Sequence, residues 1–383
     1  MRKGQVAVET LKILWMNWRD IKNPDAGGAE VFTHEVAKRL AAQGHQVTLF
    51  TSEFPGSKRE EIMDGVEVIR SGGKYTVYLN AKKHYRKVFS REDYDLVIDE
   101  INTRPFLTPK FVKKGIVIGL IHQLAREYWF YETPFPISYI GYHYLEKSWL
   151  RPYVTVPMVT VSESTRADLK ELGFMKVYVV AQGLSVTPLP SLPEKEEKPT
   201  LIFIGRLRKA KLPDHAIKAY ESVSREIPET RLWMVGDGYL FESLKNQAPS
   251  GVKFFGKVTN EVKLDLLKRA HLMLMPGIRE GWGLVVTEAN AMGTPVIAYD
   301  VPGLRDSVRD DVTGRLVSSG DISGISREAL DLIVDQKQRE ILATNALDWS
   351  KNFSWNRTAR EFMEYMTSVI QDLPADTDSS NHN

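Results

Sequence analysis

Short apolar runs alternate with amphipathic stretches along the chain, and this rhythm occurs twice. The runs predicted as strands are residues 13–16, 46–50, 95–99, 116–121 and 159–161 in the first half, and 201–204, 231–235, 252–255, 272–275 and 296–298 in the second. Strands that alternate with helices in this way form parallel sheets covered on both faces. The pattern therefore predicts an α/β fold of two doubly wound domains facing across a cleft, with ligands beyond the carboxyl ends of the strands.

The two halves are separated by residues 188–199, which contain four prolines and a run of charged residues. This composition predicts a stiff, solvated linker. We expect a first domain over residues 1–187 and a second over residues 200–352, because 383 residues exceed what one ordinary core encloses. An amphipathic helix is predicted over 357–370, and the polar residues 372–383 predict a disordered tail.

Composition narrows the classes of function. Lysine plus arginine total 51 and aspartate plus glutamate 49, so the net charge of +2 gives no general attraction to nucleic acid. The absence of cysteine excludes disulfides, thiolate metal ligands and cysteine nucleophiles. No apolar run reaches the roughly 18–20 residues that span a bilayer, and Glu9 and Lys12 interrupt any signal-peptide core. We expect a cytoplasmic protein.

Two glutamates, Glu280 and Glu288, enclose a glycine loop. Gly281 and Gly283 allow a ligand to approach the backbone closely. A helix that opens near Leu284 would point free N–H groups at the same place and favour an anion there. Backbone donors for phosphate and two carboxylates for hydroxyls describe a site for a sugar nucleotide. Each glutamate alone also fits a plainer role, because an acid in the first turn of a helix balances its dipole.

A basic loop follows the strand at 201–204. It contains four cations, of which Arg206 can bind phosphate oxygens with its planar fork and Lys211 can add a point charge. We interpret the other two, Arg208 and Lys209, as solvated. Such a loop at the mouth of a cleft suits a diphosphate leaving group.

Two further loops follow strands of the first half. Gly27 and Gly28 open a predicted helix and could cradle a diphosphate, or they form only a tight turn with positive φ. His122 ends the strand 116–121, either at the cleft edge or held by backbone. The dinucleotide fingerprint is absent, which argues against an NAD-dependent oxidoreductase. Asp93 and Asp95 precede a strand, so we predict no metal site.

The motifs together resemble the retaining glycosyltransferases of family 4, which have the GT-B fold. The resemblance lies in Gly205-Arg206-Leu207 with Lys211, and in the two glutamates separated by seven residues and continuing to Ala298. Residues 23–30 and 161–165 resemble the glycine loop and a later segment of that family's first domain. The match covers nearly the whole chain. It departs from the family at Leu212, where glycine is usual, and at Trp282, where phenylalanine or tyrosine is commoner.

The resemblance implies two Rossmann-like domains, a C-terminal helix over 353–371 that crosses back to the first domain, and a role for each site residue. The catalytic residues would be His122, Arg206, Lys211 and Glu280. The residues binding the sugar-nucleotide donor would be Gly27, Gly28, Gly205, Gly281, Trp282, Gly283, Leu284 and Glu288. A bulky Trp282 would reshape the sugar pocket. No cofactor is implied beyond the sugar nucleotide, which is a co-substrate.

The expected activity is metal-independent transfer of a hexose from a UDP- or GDP-linked sugar to a glycan, lipid-linked or other hydroxyl acceptor. The alternative is a catalytically silent subunit that binds the sugar nucleotide for another transferase. Residues 82–91 combine cations with Tyr85 and Phe89, which fits peripheral docking on an anionic membrane or a solvated helix face. The aromatic stretch 126–136 fits an acceptor platform or a domain core.

Overall fold

A first sheet of eight strands holds the N-terminal half of the chain. The computed structural model describes residues 10–372. The strands are β1 Lys12–Met16, β2 Gln46–Thr51, β3 Glu60–Met63, β4 Val66–Arg70, β5 Leu96–Ile101, β6 Ile116–Ile121, β7 Met158–Thr160 and β8 Val177–Val179. Their order is β3-β4-β2-β1-β5-β6-β7-β8, and the β3–β4 pair is antiparallel while the others are parallel.

A second, six-stranded sheet is parallel throughout. Its strands are β9 Thr200–Ile204, β10 Arg231–Val235, β11 Val252–Gly256, β12 Leu272–Met275, β13 Val296–Tyr299 and β14 Gly314–Val317. The order is β11-β10-β9-β12-β13-β14. In both sheets the chain winds outward to one edge and then returns beside the first strand. The crevice at that reversal binds ligands in such folds, and the loops after β1, β9 and β12 open onto it.

Helices cover both sheets. They are α1 Gly28–Ala42, α2 Val77–Lys87, α3 Tyr128–Glu132, α4 Ile137–Ile140, α5 Glu146–Leu150, α6 Glu163–Glu171, α7 Pro213–Glu226, α8 Phe241–Gln247, α9 Asn260–Arg269, α10 Leu284–Ala291, α11 Leu304–Ser307, α12 Ile322–Val334, α13 Gln336–Ser350 and α14 Trp355–Gln371. A single π-helical turn, Gly141–Leu145, joins α4 to α5. Within residues 10–372, no helix combines the length and the apolar character needed to cross a membrane.

Central strands are buried on both faces, which explains their continuous apolar sequences. All of β12, Leu-Met-Leu-Met, is buried, and so are Ile13 to Met16 of β1. A strand buried on both faces loses the alternation of a half-exposed strand and keeps only its short length and flanking turns as signals. The predicted fold, two doubly wound α/β domains, is confirmed.

The C-terminal helix α14 lies on the first domain. Phe362 is fully buried and its ring stacks on Trp15 of β1 with 5.3 Å between centroids. Trp355 and Met366 join the same hydrophobic core. The helix is amphipathic, and burying its apolar stripe ties the end of the chain to the first sheet.

The segment 188–199 differs from the solvated linker that its composition predicts. Leu189 donates its N–H to Ala291 O at 3.0 Å. Lys195 Nζ donates to Gly293 O at 2.8 Å and to Thr294 Oγ1 at 2.9 Å. Carbonyls at the end of a helix attract cations, so the lysine fixes this segment along the second domain beside the end of α10. Of the predicted tail 372–383, only Asp372 lies within the described residues.

Candidate active site

Three of the five predicted glycines lie against the opposite domain. A Cβ built on any of these three would meet a predicted residue of that domain within 3.4 Å. The three pairs are Gly27 with Arg206, Gly28 with Leu284, and Gly281 with His122. Residues predicted separately along the chain therefore meet across one closed cleft.

Gly27 and Gly28 begin α1 and face the second domain. Gly27 has a φ of −144°, and neither glycine has a positive φ, so the alternative of a tight turn with positive φ is wrong. The N–H of Gly27 donates to Glu30 Oε2 at 2.6 Å. A Cβ on Gly27 would lie 2.9 Å from Arg206 Nη2. Glycine at this position lets the Arg206 side chain approach the backbone closely.

Arg206 carries a positive charge with no carboxylate paired to it among residues 10–372. Its Nη2 donates to Asp25 O at 2.6 Å and Ala26 O at 3.2 Å. Burial, together with the neighbouring cations Arg19 and Arg208, lowers the pKa of the guanidinium. An anion placed here would relieve both the desolvation and the repulsion between like charges.

Lys211 is neutralised within the site. Its Nζ forms an ion pair with Glu280, and both side chains are mostly buried. Burial alone would lower the pKa of Lys211, but Glu280 and the hydroxyl of Tyr128 outweigh it and raise that pKa. Tyr128 in turn donates to Arg279 O at 3.1 Å. The cation predicted for phosphate and the acid predicted for sugar hydroxyls thus hold each other within the cleft.

The helix predicted near Leu284 is α10, and it begins at that residue. Its N-cap, Gly283, has φ 88°, a left-handed conformation that favours glycine. Glu288 is the fifth of the eight residues of this helix, and its carboxylate pairs with Lys263 Nζ at 2.6 Å. Lys263 belongs to α9, and the sequence analysis did not identify it.

Trp282 is buried in the protein core, whereas the sequence analysis expects its bulk to reshape the sugar pocket. The side chain belongs to the hydrophobic core that continues into the first domain. Its ring packs edge-on against Phe353, with 5.3 Å between centroids. A large aromatic side chain stabilises most when it is enclosed, so this indole seals the two domains together and leaves only backbone for the glycine loop.

His122 lies at the cleft edge, but its ring points inward. The ring donates from Nε2 to the carboxylate of Glu100 at 3.1 Å, and its Nδ1 accepts from the side-chain amide of Gln182 at 3.2 Å. A Cβ on Gly281 would lie 2.9 Å from the His122 carbonyl oxygen. The ring is held by two side chains, which differs from the alternative of a histidine bonded to backbone at the strand end. Only the carbonyl group and Cβ of His122 border the glycine loop.

Gly205 continues β9 rather than facing open space. Its N–H donates to Val235 O at 3.0 Å. A Cβ on Gly236 would lie 2.0 Å from Gly205 O, so the glycine required by sterics is Gly236, in the neighbouring loop. The role of Gly205 in donor binding remains a prediction.

Arg279 forms a buried link between the domains that the sequence analysis missed. Its Nε lies 3.1 Å from Glu127 Oε2, and its Nη1 also pairs with Asp168, both in the first domain. These partners are 152 and 111 residues away along the chain. No local pattern marks such a residue, although its position beside Glu280 offered a hint.

Residues 161–165, matched above to the first domain of the family, also reach the second domain. Ser164 Oγ accepts from the Gly303 N–H at 2.8 Å, and the Ser164 N–H donates to Asp306 Oδ1 at 3.1 Å. Thr165 Oγ1 donates to the His122 carbonyl at 3.2 Å. This segment therefore supports both the cleft edge and the contact between domains.

No cluster of metal-binding side chains occurs in residues 10–372. Asp95 Oδ2 accepts the Lys12 N–H at 2.7 Å, and Asp93 pairs with Lys114 at 3.4 Å on the surface. Both acids of the Asp-Tyr-Asp sequence thus have structural partners.

The basic stretch 82–91 is not the aromatic docking surface that its composition allowed. Tyr85 and Phe89 are buried in the core of the first domain, where Phe89 packs edge-on against Phe50 with 6.0 Å between centroids. The exposed side chains of this stretch are Val88 and cations that include Lys82 and Lys83. The structure matches the alternative of a solvated helix face.

The aromatic stretch 126–136 divides between core and surface. Trp129 is buried, while Phe130 and Phe135 are exposed. Its inner side touches the second domain, because Glu132 Oε1 accepts the N–H of Ala210 at 3.0 Å.

Two facing Rossmann-like domains, with a basic loop and two glutamates at the cleft between them, define a glycosyltransferase of the GT-B fold. Residues 189–349 match the family model "Glycosyl transferases group 1", and residues 26–187 match "Glycosyltransferase Family 4". The chain belongs to the group 1 glycosyltransferases whose first domain is of the family 4 type.

The chain is similar to curated proteins over most of its length. It is 27% identical to a D-inositol 3-phosphate glycosyltransferase of a Nocardioides species, covering 89% of this chain and 85% of that protein. It is also 27% identical to a Mycobacterium tuberculosis glycogen synthase, covering 53% and 51%.

Solved structures share the fold. The sucrose-phosphate synthase of Thermosynechococcus elongatus superposes with a TM-score of 0.78 at 18% identity, covering 95% of this chain and all of that one. Anabaena HepE in complex with UDP-glucose superposes with a TM-score of 0.68 at 16% identity, covering 94% and 100%.

Proposed function

We propose that this protein transfers a hexose, with retention of anomeric configuration, from a UDP- or GDP-linked sugar to a hydroxyl group of a glycan or lipid-linked acceptor. The observation that carries the proposal is the convergence of Arg206, Lys211 and Glu280 on one cleft with the beginnings of α1 and α10. A sugar nucleotide is the ligand that uses cations, helix N-termini and a carboxylate together.

The diphosphate would bind beside Arg206 and the start of α1. The Arg206 guanidinium donates to backbone carbonyls and lies near neighbouring cations that lower its pKa, and Gly27 exposes the beginning of a 15-residue helix to it. Preorganised positive groups stabilise the charge that develops on a leaving phosphate without reorganisation during the reaction. The complex of HepE with UDP-glucose supports a sugar nucleotide as the ligand of this fold.

The ion pairs Lys211–Glu280 and Lys263–Glu288 would exchange partners when the sugar nucleotide binds. Phosphate oxygens would take Lys211 from Glu280 and leave the Glu280 carboxylate for sugar hydroxyls. Glu288 would likewise exchange Lys263 for the ribose hydroxyls. Both pairs are mostly buried, so each carboxylate needs a replacement hydrogen-bond donor when its lysine leaves.

The chemistry would be a front-face substitution assisted by the leaving group. The bond from the anomeric carbon to the phosphate oxygen breaks, the acceptor oxygen attacks the same face, and its proton passes to the leaving phosphate. Glu280, Glu288 and Glu100 are each held by protein hydrogen-bond donors. They therefore suit binding and positioning better than the nucleophile and acid/base pair of a retaining hydrolase.

Catalysis should not require a metal ion, because Arg206 and Lys211 supply the positive charge that a cation would bring. We expect full turnover in excess EDTA. Activity that disappears in EDTA and returns with Mn²⁺ would contradict this part of the proposal.

The deciding experiment is a screen for release of nucleoside diphosphate over a panel of sugar nucleotides. We expect one donor to be hydrolysed slowly without acceptor, and NMR of the transferred product to show the anomeric configuration of that donor. Tight binding of a donor with no release under any acceptor would instead favour the silent partner subunit.

A further inference from the structure

A cluster of exposed apolar side chains lies between β6 and β7. Phe130, Phe135, Ile137, Tyr139, Ile140 and Tyr144, the aromatic surface, are between 43% and 82% exposed. Clusters of this kind on a soluble domain mark interaction sites, whereas single exposed apolar residues do not.

The aromatic surface is the outer side of a helical segment pressed against the first domain. Ile137 and Ile140 lie in α4 and Tyr144 in the π-helical turn that follows it, and all three side chains are exposed. Leu150, at the end of α5, belongs to the same hydrophobic core as Ile121 of β6. This core contact fixes the segment on the first domain.

The acidic and the basic side chains of residues 130–151 differ in their exposure to solvent. Its two acids are engaged within the protein: Glu132 accepts from Ala210, and Glu146 accepts the N–H of Arg126 at 3.0 Å. The charged residues left exposed between 130 and 151 are Lys147 and Arg151. An uncharged aromatic surface with a cationic edge matches the interface of an anionic bilayer, where rings enter the headgroup region and cations meet lipid phosphates.

We propose that the aromatic surface docks this protein on an anionic phospholipid bilayer. A second copy of the chain is a poorer occupant, because a two-fold contact through this surface would oppose the Lys147–Arg151 edge to an identical cationic patch. The bilayer offers phosphates to the same cations.

The docked segment is also the wall of the cleft. Tyr128, at its start, donates to Arg279 O at 3.1 Å, and Glu127 pairs with the same arginine. A bilayer held at the outer side would bring membrane-embedded molecules to the cleft mouth. This points to a lipid-linked acceptor, an assignment that rests on the proposed function, whereas the docking itself does not.

The test is co-sedimentation of the full chain with vesicles of phosphatidylglycerol and phosphatidylcholine, or of phosphatidylcholine alone, at low salt. We expect binding to the anionic vesicles only. The variant Ile137→Ser/Ile140→Ser/Tyr144→Ser should lower the partition coefficient by more than about tenfold, since buried apolar area drives insertion.

A matched control is Ile62→Ser/Met175→Ser/Val334→Ser, because these side chains are 75–77% exposed but scattered over the molecule. It should sediment like the wild type. Lys147→Gln/Arg151→Gln should weaken binding by roughly tenfold. Lys82→Gln/Lys83→Gln/Lys87→Gln removes more charge elsewhere and should weaken binding less.

Three outcomes would overturn the docking proposal: wild-type protein that stays in the supernatant, a serine triple variant that sediments normally, or a control triple that fails equally. A wild-type dimer that the serine variant makes monomeric, without vesicle binding, would assign the surface to a second copy. Release of nucleoside diphosphate in solution should be unchanged in the serine variant. If the wild-type protein releases no nucleoside diphosphate from any donor, the proposed function is refuted and vesicle binding stands as an independent result.

Discussion

Arg206 and Lys211, the two cations of the basic loop that we assign to the phosphates, differ in their partners. Arg206 donates only to carbonyl oxygens, whereas Lys211 is paired with Glu280. Arg206 is therefore ready for an anion, and Lys211 becomes ready only when an anion competes for it. The positions of these two residues in the sequence do not distinguish them, so this difference is a property of the folded site.

Removing either cation should harm the transition state selectively. We expect Arg206→Ala and Lys211→Ala to lower kcat by about 100-fold or more, the scale of losing a preorganised electrostatic donor. Steady-state kinetics with the preferred sugar nucleotide would measure this. Lys209→Ala is the matched control, because Lys209 is exposed in the same loop and should retain wild-type turnover. Equal turnover in all three variants would remove these residues from the catalytic machinery.

Gly281 tests whether the closed cleft is the active one. A methyl group at this position would lie 2.9 Å from His122 O and 3.1 Å from His122 Cβ, so Gly281→Ala must move the domains apart. Displacements well below an ångström disturb reacting geometry, and we expect kcat to fall by about tenfold or more.

The melting temperature of Gly281→Ala should stay near that of the wild type, because the strain is relieved by opening and not by unfolding. Gly73→Ala is the control, since a Cβ there meets nothing within 4 Å. Full activity in Gly281→Ala would mean that catalysis uses a more open arrangement.

At the scale of elements, the central strands of the second sheet are joined at their starts by a buried histidine. His271, just before β12, accepts the N–H of Thr200 in β9 through Nδ1 at 3.1 Å. That bond requires a neutral ring. Burial, and then the cations Arg339 and Lys195, lower the pKa of His271 to about 4.

This histidine should make the protein less stable in mild acid. Between about pH 6.5 and pH 4 the unfolded chain binds a proton that the folded chain refuses, so the free energy of unfolding falls as the pH is lowered. Across that window the histidine lowers the free energy of unfolding by roughly 3 kcal/mol, and above it the histidine has no effect on stability. Denaturant unfolding from pH 4 to 8 would show it. His271→Asn, whose amide oxygen can accept the same N–H without titrating, should have a shallower slope, and an unchanged slope would contradict the assignment.

At the scale of the whole molecule, Arg279 holds the two domains together. It is buried and bridges Glu127 and Asp168 of the first domain. The guanidinium is buried, whereas the side chains of Glu127 and Asp168 are 45% and 24% exposed. Removing the guanidinium therefore loses the contacts that join the domains and leaves both carboxylates partly solvated, so we expect the two domains to separate.

Arg279→Met should enlarge the radius of gyration in solution scattering without donor, and should lower kcat/KM by about tenfold, because closure assembles the site and excludes water. Arg305→Met is the control, since Arg305 pairs with Asp300 on the surface of the same domain. An unchanged radius of gyration in Arg279→Met would assign closure to the remaining contacts between the domains.

The sequence by itself determined the fold and the local structure of the glycine loop before α10. The strands 116–121, 231–235 and 272–275 were predicted at the bounds that the structure has, because apolar runs and their flanking turns are local signals. Gly283 before a helix at Leu284 was equally readable, since a glycine loop and a helix start are set by adjacent residues.

Tertiary structure decided what each side chain faces. Tyr85 lies in α2 and Phe89 just after it, and their four-residue spacing is the same whether they meet a core or a membrane. The ring of His122, the indole of Trp282 and the guanidinium of Arg279 depend on partners from distant parts of the chain. The His122 contacts form when the first domain folds, because Glu100 and Gln182 belong to it. The Arg279 contacts form only when the two domains close on each other, and no local pattern records that closure.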